Sequence, residues 1–328
     1  MSELLVSPSP HIQSKRNTTA LMNDVLIALL PATVVSMLFY GWNFFFLLVA
    51  AIAACVLCEM LILKCCFHRR ECCISAAVTG VLLALNLPPA APWWIAVIGG
   101  IVAIGVAKMT FGGLGQNIFN PALVGRVFLL VSFPVIMTTW NSPAGWLSGV
   151  DAFSGATPLG TINAGLAQGQ SAADIVAQNG YTGFSALFAR MGGSAGEVSA
   201  LALIAGFIYL LVRRVIRPHI TVSILAAVAV MTAIFSAINP AAYTGPAFNL
   251  LTGGLLLGSI FMATDYVTSP MTGKGMIIYG VLIGVLTVLI RYFGSYPEGV
   301  SFAILIANIT VPLLNKYCKP KRFAKEAK

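Results

Sequence analysis

The sequence predicts an all-α integral membrane fold, and three observations carry that prediction. Of the 328 residues, 58% are hydrophobic and only 9% are charged, whereas an average soluble domain has roughly 25% charged residues. The mean hydropathy of +0.90 comes from apolar runs spread along nearly the whole chain. The basic residues lie between those runs, as in a multi-pass membrane protein. Secreted, disordered and cytosolic classes are excluded, and no nucleic-acid partner is expected.

Ten apolar runs, separated by Gly, Pro or charge, predict about ten membrane segments. The runs from Ile74 and Trp93 extend only about fifteen residues, short of the roughly twenty that cross a bilayer. We expect broken or partly re-entrant helices there. The segments are predicted to begin near Asp24, Phe44, Ile74, Trp93, Ala122, Val198, Ile220, Leu250, Met276 and Val300.

The distribution of basic residues predicts the orientation. With the N terminus inside, 17 of 19 Lys and Arg residues fall on one face and only Arg190 and Arg291 on the other. Cytoplasmic loops carry such an excess, so both termini are expected in the cytoplasm of a bacterial inner membrane. The 17 include the basic tail, a predicted contact with anionic lipid of the bilayer; they are Lys15, Arg16, Lys64, Arg69, Arg70, Lys108, Arg126, Arg213, Arg214, Arg217, Lys274 and the six from 316 to 328.

An internal similarity predicts two inverted five-helix repeats. Thr79-Gly-Val-Leu-Leu-Ala-Leu in the third segment returns as Thr252-Gly-Gly-Leu-Leu-Leu-Gly in the eighth, and Lys108-Met-Thr-Phe-Gly resembles Arg291-Tyr-Phe-Gly. An odd number of crossings inverts the second copy. Chance similarity between apolar helices is the alternative. The predicted organisation is a cytoplasmic segment 1–23, repeats at 24–139 and 198–315, an extracytoplasmic loop 140–197 and a basic tail 316–328.

That loop contains the sharpest local motif, Asp151-Ala-Phe-Ser154-Gly155-Ala156-Thr157-Pro158. Pro158 favours an extended backbone at Thr157, and Gly155 and Ala156 add little bulk. The Thr157 hydroxyl is therefore expected to be open to an approaching molecule, which suits covalent modification. An ordinary Ser/Gly turn is the alternative.

This motif resembles the flavin-attachment sequence Asp-x-x-Ser/Thr-Gly-Ala-Ser/Thr of one family of membrane proteins. That family includes the D subunit of the Rnf complex and the B subunit of sodium-pumping NADH:quinone reductase. The resemblance runs from about residue 24 to 314, through residues 112–122, 261–267 and 296–299 with Asn308 and Pro312. It implies a fold similar to urea transporters and a phosphoester-linked FMN on Thr157, installed by a flavin transferase. Asp151, Ser154, Gly155 and Ala156 complete the attachment motif.

A second candidate site lies at the Gly-rich turn 112–121, with Asp265 from the other half. Gly-rich turns at helix starts offer backbone N–H groups to ligands. Asn117 and Asn120, three residues apart, are expected to share one helical face. The resemblance implies a noncovalent flavin, riboflavin, held by Asn117, Asn120 and Asp265. Helix capping, and for Asp265 cation coordination, are the alternatives.

The seven cysteines predict no disulfide framework and no metal site. Six fall between Cys55 and Cys73, beside a basic loop predicted to be cytoplasmic, so they are expected to be reduced thiols. Zinc or an iron–sulfur cluster is the alternative, but the adjacent pairs Cys65-Cys66 and Cys72-Cys73 lack the usual ligand spacing.

The resemblance implies an electron-transfer subunit of an Rnf-type translocase, one that links ferredoxin and NAD to Na⁺ or H⁺ transport and is not catalytic alone. Its partners would be membrane and iron–sulfur subunits, including a flavinylated G-type subunit. Only about 23 residues precede the first segment, which favours this interpretation over the quinone reductase, whose B subunit has a longer extension. A channel for a small neutral solute, or a scaffold with a vestigial flavin site, are the remaining alternatives.

Overall fold

The computed structural model describes residues 17–68, 74–141, 154–155, 157–181, 192–294, 296 and 298–319. Apart from one two-residue antiparallel pair, β1 (Trp140–Asn141) with β2 (Ser154–Gly155), the regular structure of these residues is helical, as predicted. Five of the helices that the structure describes are long and apolar enough to cross a membrane. The helices are α1 (Thr18–Ile62), α2 (Ile74–Asn86), α3 (Trp93–Ile101), α4 (Pro121–Ser132), α5 (Pro134–Met137), α6 (Pro158–Ala167), α7 (Ala172–Gln178), α8 (Ala200–Val212), α9 (His219–Ile238), α10 (Pro246–Leu251), α11 (Leu255–Leu257), α12 (Gly273–Phe293) and α13 (Val300–Tyr317).

Helix α1 contains two of the predicted segments. Its regular geometry breaks at Gly41, which has φ 63° and ψ −144°. Met22 near the start of α1 borders the same cavity as Lys108, and Glu59 near its end forms an ion pair with Lys108. An unbroken helix would separate Met22 from Glu59 by roughly 55 Å. Residues 18–40 and 42–62 therefore run back along each other.

The third and fourth predicted segments differ in length. Helix α2 has 13 residues, which span roughly 20 Å against a hydrocarbon core of roughly 30 Å, so the prediction of a short segment is confirmed. Helix α3 continues through a π-helical turn, Val102–Val106, and a 3₁₀ turn, Met109–Phe111, into a 19-residue apolar unit. The expectation of a broken segment is thus confirmed at Lys108, where the regular helix stops, but the apolar unit continues to Phe111 because the charge of Lys108 is paired inside the protein.

The eighth segment is a broken helix. Helix α10 ends at Leu251, and α11 starts at Leu255 and continues as a π-helical turn, Gly258–Met262. Gly253 and Gly254 between them have φ values of 70° and 66°. An L side chain is strained in that region, whereas glycine is not. The break leaves backbone carbonyl groups without helical partners, and these groups form part of the site described below.

Close helix packing depends on small residues, as expected where lipid removes the hydrophobic drive between helices. A Cβ on Gly206 of α8 would lie 2.3 Å from the Ala28 carbonyl oxygen of α1. On Gly80 of α2 it would lie 2.7 Å from the Ile52 Cα of α1. Both halves of α1 thus serve as a support against which α2 and α8 pack.

Candidate functional site

Thr157 is the residue before α6 and caps that helix. Its backbone is extended, with φ −62° and ψ 156°, as Pro158 predicts. The Thr157 Oγ1 accepts a hydrogen bond of 3.1 Å from the Gly160 N–H. The residue is only 4% exposed. The expectation of an open hydroxyl is therefore wrong for this conformation, because the hydroxyl is engaged in capping the helix.

The rest of the attachment motif is described only in part. Ser154 and Gly155 form β2, whereas Asp151 and Ala156 lie outside the described residues. The first turn of α6 rests on the broken helix: a Cβ on Gly253 would lie 2.5 Å from Leu159 Cδ1 and 2.7 Å from a guanidinium nitrogen of Arg291. The Thr157 segment is thus adjacent to buried charge.

Asn117, Asn120 and Asp265, the second predicted site, border one cavity, which we call the Lys108 cavity. Its volume is about 80 Å³. Small-molecule sites commonly have roughly 300–1,000 Å³, so this cavity is smaller than a typical ligand site. The polar residues of its wall are Ser75, Thr79, Lys108, Asn117, Asn120, Thr264 and Asp265, with Phe261 and Tyr266 among the apolar and aromatic ones.

The two asparagines do not share a helical face, so that prediction is wrong. Asn117 lies in an irregular turn and donates to the Phe119 carbonyl at 3.0 Å. Asn120 caps α4 by accepting from the Ala122 N–H at 3.1 Å, and it donates to the Met262 carbonyl at 3.1 Å. Asn120 therefore joins α4 to the broken helix of the other half.

Two charged groups border the Lys108 cavity. The Lys108 Nζ donates to both Glu59 carboxylate oxygens at 2.8 Å and to Ser75 Oγ at 2.7 Å, which uses all three of its N–H groups. Asp265, outside the spanning helices, accepts from Thr268 Oγ1 at 3.3 Å. Burial raises the pKa of Asp265, although nearby backbone N–H groups and Lys108 oppose the shift.

A second set of buried charges lies where α4, α12 and the segment before α13 meet; we call Arg126, Arg291, Glu197 and Glu298 the four-charge cluster. Arg126 forms an ion pair with Glu298. Arg126 also donates to Asn86 Oδ1 at 3.2 Å and to the hydroxyl of Ser301.

The other two members of the cluster bind the broken helix. Arg291 donates to carbonyl groups at the break between α10 and α11, those of Asn249 at 2.7 Å and Thr252 at 2.8 Å. Glu197 accepts from Ser194 Oγ at 2.6 Å. Among the described residues, the Glu298 Oε1, the Arg126 Nε and the Arg291 Nε have no hydrogen-bond partner.

Sequence reasoning missed both charge groups. It used Lys108, Arg126 and Arg291 as markers of membrane orientation, but all three are buried within the protein. Sequence reasoning gave no role to Glu59 or Glu197. The available signal was the position of these charges in or beside apolar runs, because a charge within a membrane is costly unless it is paired or has a function.

The cysteines are dispersed where the structure describes them. Cys55 is buried, Cys58 is half-buried, and Cys65 and Cys66 are exposed, all as free thiols. Cys72 and Cys73 lie outside the described residues. Within the described part of the chain no three His, Cys, Asp or Glu residues are grouped as metal ligands.

Comparison with known proteins identifies relatives along almost the whole chain. A sequence model of the NQR2, RnfD, RnfE family matches residues 5–324. The chain is 40% identical to the D subunit of the ion-translocating oxidoreductase complex of Stutzerimonas stutzeri, over 94% of this chain and 92% of the relative. It is 39% identical to the D subunit of the Na(+)-translocating ferredoxin:NAD(+) oxidoreductase complex of Acetobacterium woodii, over 99% and 98%. The corresponding protein of Aliivibrio salmonicida is 38% identical, over 97% of both chains.

Proposed function

Because the chain belongs to the NQR2, RnfD, RnfE family, we propose that it is the membrane electron-transfer subunit of an Rnf-type, ion-translocating ferredoxin:NAD oxidoreductase. It is an enzyme subunit that is not catalytic alone. The relatives reported above are D subunits matched over more than nine-tenths of their length, which favours this assignment over the B subunit of the quinone reductase. Electrons enter from and leave to neighbouring subunits, including iron–sulfur subunits and a flavinylated G-type subunit.

The covalent FMN of this proposal is attached to Thr157. FMN supplies reversible one- and two-electron chemistry when bound. Thr157 stands at the N-cap of α6, where the N–H of Gly160 already points at the threonine oxygen. The first turn of a helix carries unpaired N–H groups and the positive end of the helix dipole, which stabilise a phosphate there. Because Thr157 is buried, the flavin transferase has to reach it before α6 packs or when its first turn opens.

The Lys108 cavity is the proposed site of a noncovalent riboflavin. A flavin ring edge presents hydrogen-bond donors and acceptors, and the cavity wall offers both kinds in Asn117 and Asp265. Phe261 and Tyr266 offer apolar surface to the ring. The cavity volume of about 80 Å³ is smaller than a flavin ring, so binding of the ring requires the cavity wall to open.

The proposal includes two inverted repeats in an arrangement like that of urea transporters. A pair of matching contacts supports the repeats. Lys108, which follows α3, donates to Ser75, four residues before Thr79. Arg291, its counterpart near the end of α12, donates to the carbonyl of Thr252, the counterpart of Thr79. Paired sequence positions thus make paired contacts with the third and eighth segments.

Orientation follows the basic residues, with both termini cytoplasmic and the FMN loop outside. With the three buried cations set aside, fifteen basic residues remain on one predicted face and Arg190 alone on the other. An electron that passes to the outer loop and back crosses the membrane field twice, and each crossing involves about 2.3 kcal/mol per charge per 100 mV. That energy is of the size needed to move Na⁺ or H⁺.

The observation that carries the proposal is the attachment motif with its threonine at a helix N-cap. The test is coexpression with the flavin transferase, followed by denaturing gel electrophoresis and intact mass. We expect a fluorescent band and an FMN-sized mass increase on the peptide around Thr157, both lost in Thr157→Ala. Thr161→Ala, one turn further along α6, is the matched control and should keep both signals. A fluorescent band that survives in Thr157→Ala would overturn the assignment to Thr157, whereas a wild-type chain that never carries flavin would favour the solute channel.

A further inference from the structure

The four-charge cluster has a property that its ion pairs do not explain. Two guanidinium groups and two carboxylates are buried together, and three of their polar atoms have no partner among the described residues. Buried polar atoms nearly always have a hydrogen-bond partner, and an exception calls for a specific cause such as bound water or an exchanging proton. Of these three atoms, the only oxygen is Glu298 Oε1. The second oxygen of that carboxylate is paired with Arg126.

The surroundings of Glu298 are mixed in charge. Arg126 of α4 and Arg291 of α12 lie close enough to attract its charge, and Glu197 lies close enough to repel it. Tyr40 of α1 faces Glu197, and Tyr292 lies beside Arg291. Glu298 itself lies between α12 and α13, outside the spanning helices.

These groups leave Glu298 poised between its two protonation states. Burial and the charge of Glu197 raise its pKa to about 7, although Arg126 and Arg291 act in the opposite direction. Burial raises the pKa of Glu197 as well, but Ser194, the two arginines and the backbone N–H of Gly254 oppose that shift. The two carboxylates differ in geometry, because only Glu298 has an oxygen without a hydrogen-bond partner among the described residues.

The cluster also lies next to the proposed redox site and a space for water. Arg291 and Leu159 both approach Gly253, so the first turn of α6, which follows Thr157, rests on the cluster. A cavity of about 10 Å³ borders Glu197, Gly254 and Leu251. That is close to the smallest volume that holds one water molecule. The cavity thus has room for one water molecule beside Glu197, the carboxylate whose charge acts on Glu298.

We propose that Glu298 is a redox-linked proton-binding site that takes up one proton when the group attached to Thr157 receives an electron, an inference that rests on the proposed function. The electron comes from a neighbouring subunit. The proton leaves water and binds Glu298 Oε1, no other bond changes, and reoxidation returns the proton to water. Arg126 stays held by Asn86 and Ser301 when Glu298 becomes neutral.

A proton suits this position better than a metal cation. A metal ion needs several oxygen ligands and would meet two guanidinium groups at short range, whereas a proton needs one lone pair. Glu298 Oε1 supplies that lone pair, and no existing hydrogen bond to this oxygen has to break when the proton binds.

The first test is infrared difference spectroscopy of the intact complex, recorded between its oxidised and reduced states. We expect the carbonyl band of a protonated carboxyl to appear on reduction and to shift in D₂O. The band should vanish in Glu298→Gln and persist in Asp174→Asn, a matched change of an exposed carboxylate in α7. A spectrum without such a band in the wild type, or a band that survives in Glu298→Gln, would overturn the proposal.

The second test is the midpoint potential of the Thr157 flavin as a function of pH. Near pH 7 the midpoint potential of the wild type should depend more steeply on pH than that of Glu298→Gln. In Glu197→Gln this steep region should move to lower pH, because the negative charge that repels the Glu298 carboxylate is gone. Equal slopes in the wild type and Glu298→Gln would contradict the proposal.

Assembly and attachment are checked separately from proton binding. If Glu298→Gln assembles poorly, the double variant Arg126→Gln/Glu298→Gln takes its place, because it restores the charge balance of the cluster. The shift of the carboxyl band in D₂O is measured on the wild type and needs no variant. In-gel flavin fluorescence is scored on the same samples. A wild-type chain without fluorescence would refute the proposed function itself, whereas a fluorescent chain without the carboxyl band would refute only this inference.

Discussion

The Lys108 cavity and the four-charge cluster are both buried sets of opposite charges, yet they differ in how completely the charges are satisfied. In the cavity, Lys108 has partners for all three N–H groups, and open space lies beside it. In the cluster, Arg126, Arg291 and Glu298 each have an atom without a partner among the described residues, and the adjacent space is about 10 Å³. The first arrangement fits a preformed ligand wall, and the second a set of charges that responds to its neighbours.

The largest effect is expected from removing one charge of the cluster. At a pH well above 7, where Glu298 is charged, Arg126→Met leaves its carboxylate buried without the ion-pair partner, which should cost about 3–5 kcal/mol of stability. The measurement is unfolding of the purified chain in a denaturing detergent series. The double variant Arg126→Met/Glu298→Met removes both charges and should recover most of the loss. Equal stability of the single and double variants would show that Glu298 is not held as a buried charge.

Removing the cation of the Lys108 cavity should reduce the stability of the chain less than removing Arg126. Lys108→Met leaves Glu59 without its partner, but Lys108 itself borders the cavity, so water can take the place of its ammonium group beside Glu59 and we expect a loss of about 1–3 kcal/mol. The double variant Lys108→Met/Glu59→Met is the matched control in the same detergent series. A loss as large as that of Arg126→Met would remove the distinction between the two regions.

A pair of glycine substitutions sharpens the comparison at backbone level. Gly253 beside the cluster and Gly113 near the cavity both have positive φ, 70° and 95°. A Cβ on Gly253 meets Leu159 and Arg291 below 3 Å, whereas on Gly113 it meets only the Met109 sulfur at 3.9 Å. Gly253→Ala should therefore destabilise the chain by about 1–3 kcal/mol more than Gly113→Ala, measured as above. Equal losses would mean that the contact between α6 and the broken helix is loose.

The fold was more predictable than either charged region. Apolar runs mark helix starts directly, and the predicted starts at Ile74, Trp93 and Val300 are the first residues of α2, α3 and α13. The continuation of the fourth segment past Lys108 to Phe111 was not predicted, because the local sequence does not show that Lys108 pairs with a glutamate 49 positions earlier. The role of Gly253 could not be predicted for the same reason, since it depends on contact with the distant residue Arg291.

The candidate sites were predictable only where neighbouring residues determine them. Pro158 alone implies the extended backbone of Thr157, and the structure has it. The burial of the Thr157 hydroxyl depends on the packing of α6, which sequence spacing does not reveal. Asn120 was assigned to a helical face, but its amide joins α4 to Met262 across 142 positions of sequence. Pairing between distant segments is what the sequence alone left undetermined.

The smallest expected effect tests the ligand role of the cavity. Asp265→Asn keeps the size of the side chain and removes its charge, so stability should change little, whereas a flavin that hydrogen-bonds to the carboxylate should bind about 10-fold more weakly. The measurement is the noncovalent flavin released on denaturation, per covalent FMN retained by the same sample. Asp174→Asn, an exposed carboxylate outside the cavity, should leave that ratio unchanged. An unchanged ratio in Asp265→Asn would leave Asp265 as part of the cavity wall without contact to a ligand, and the difference between the two charged regions would then rest on Lys108 and the four-charge cluster alone.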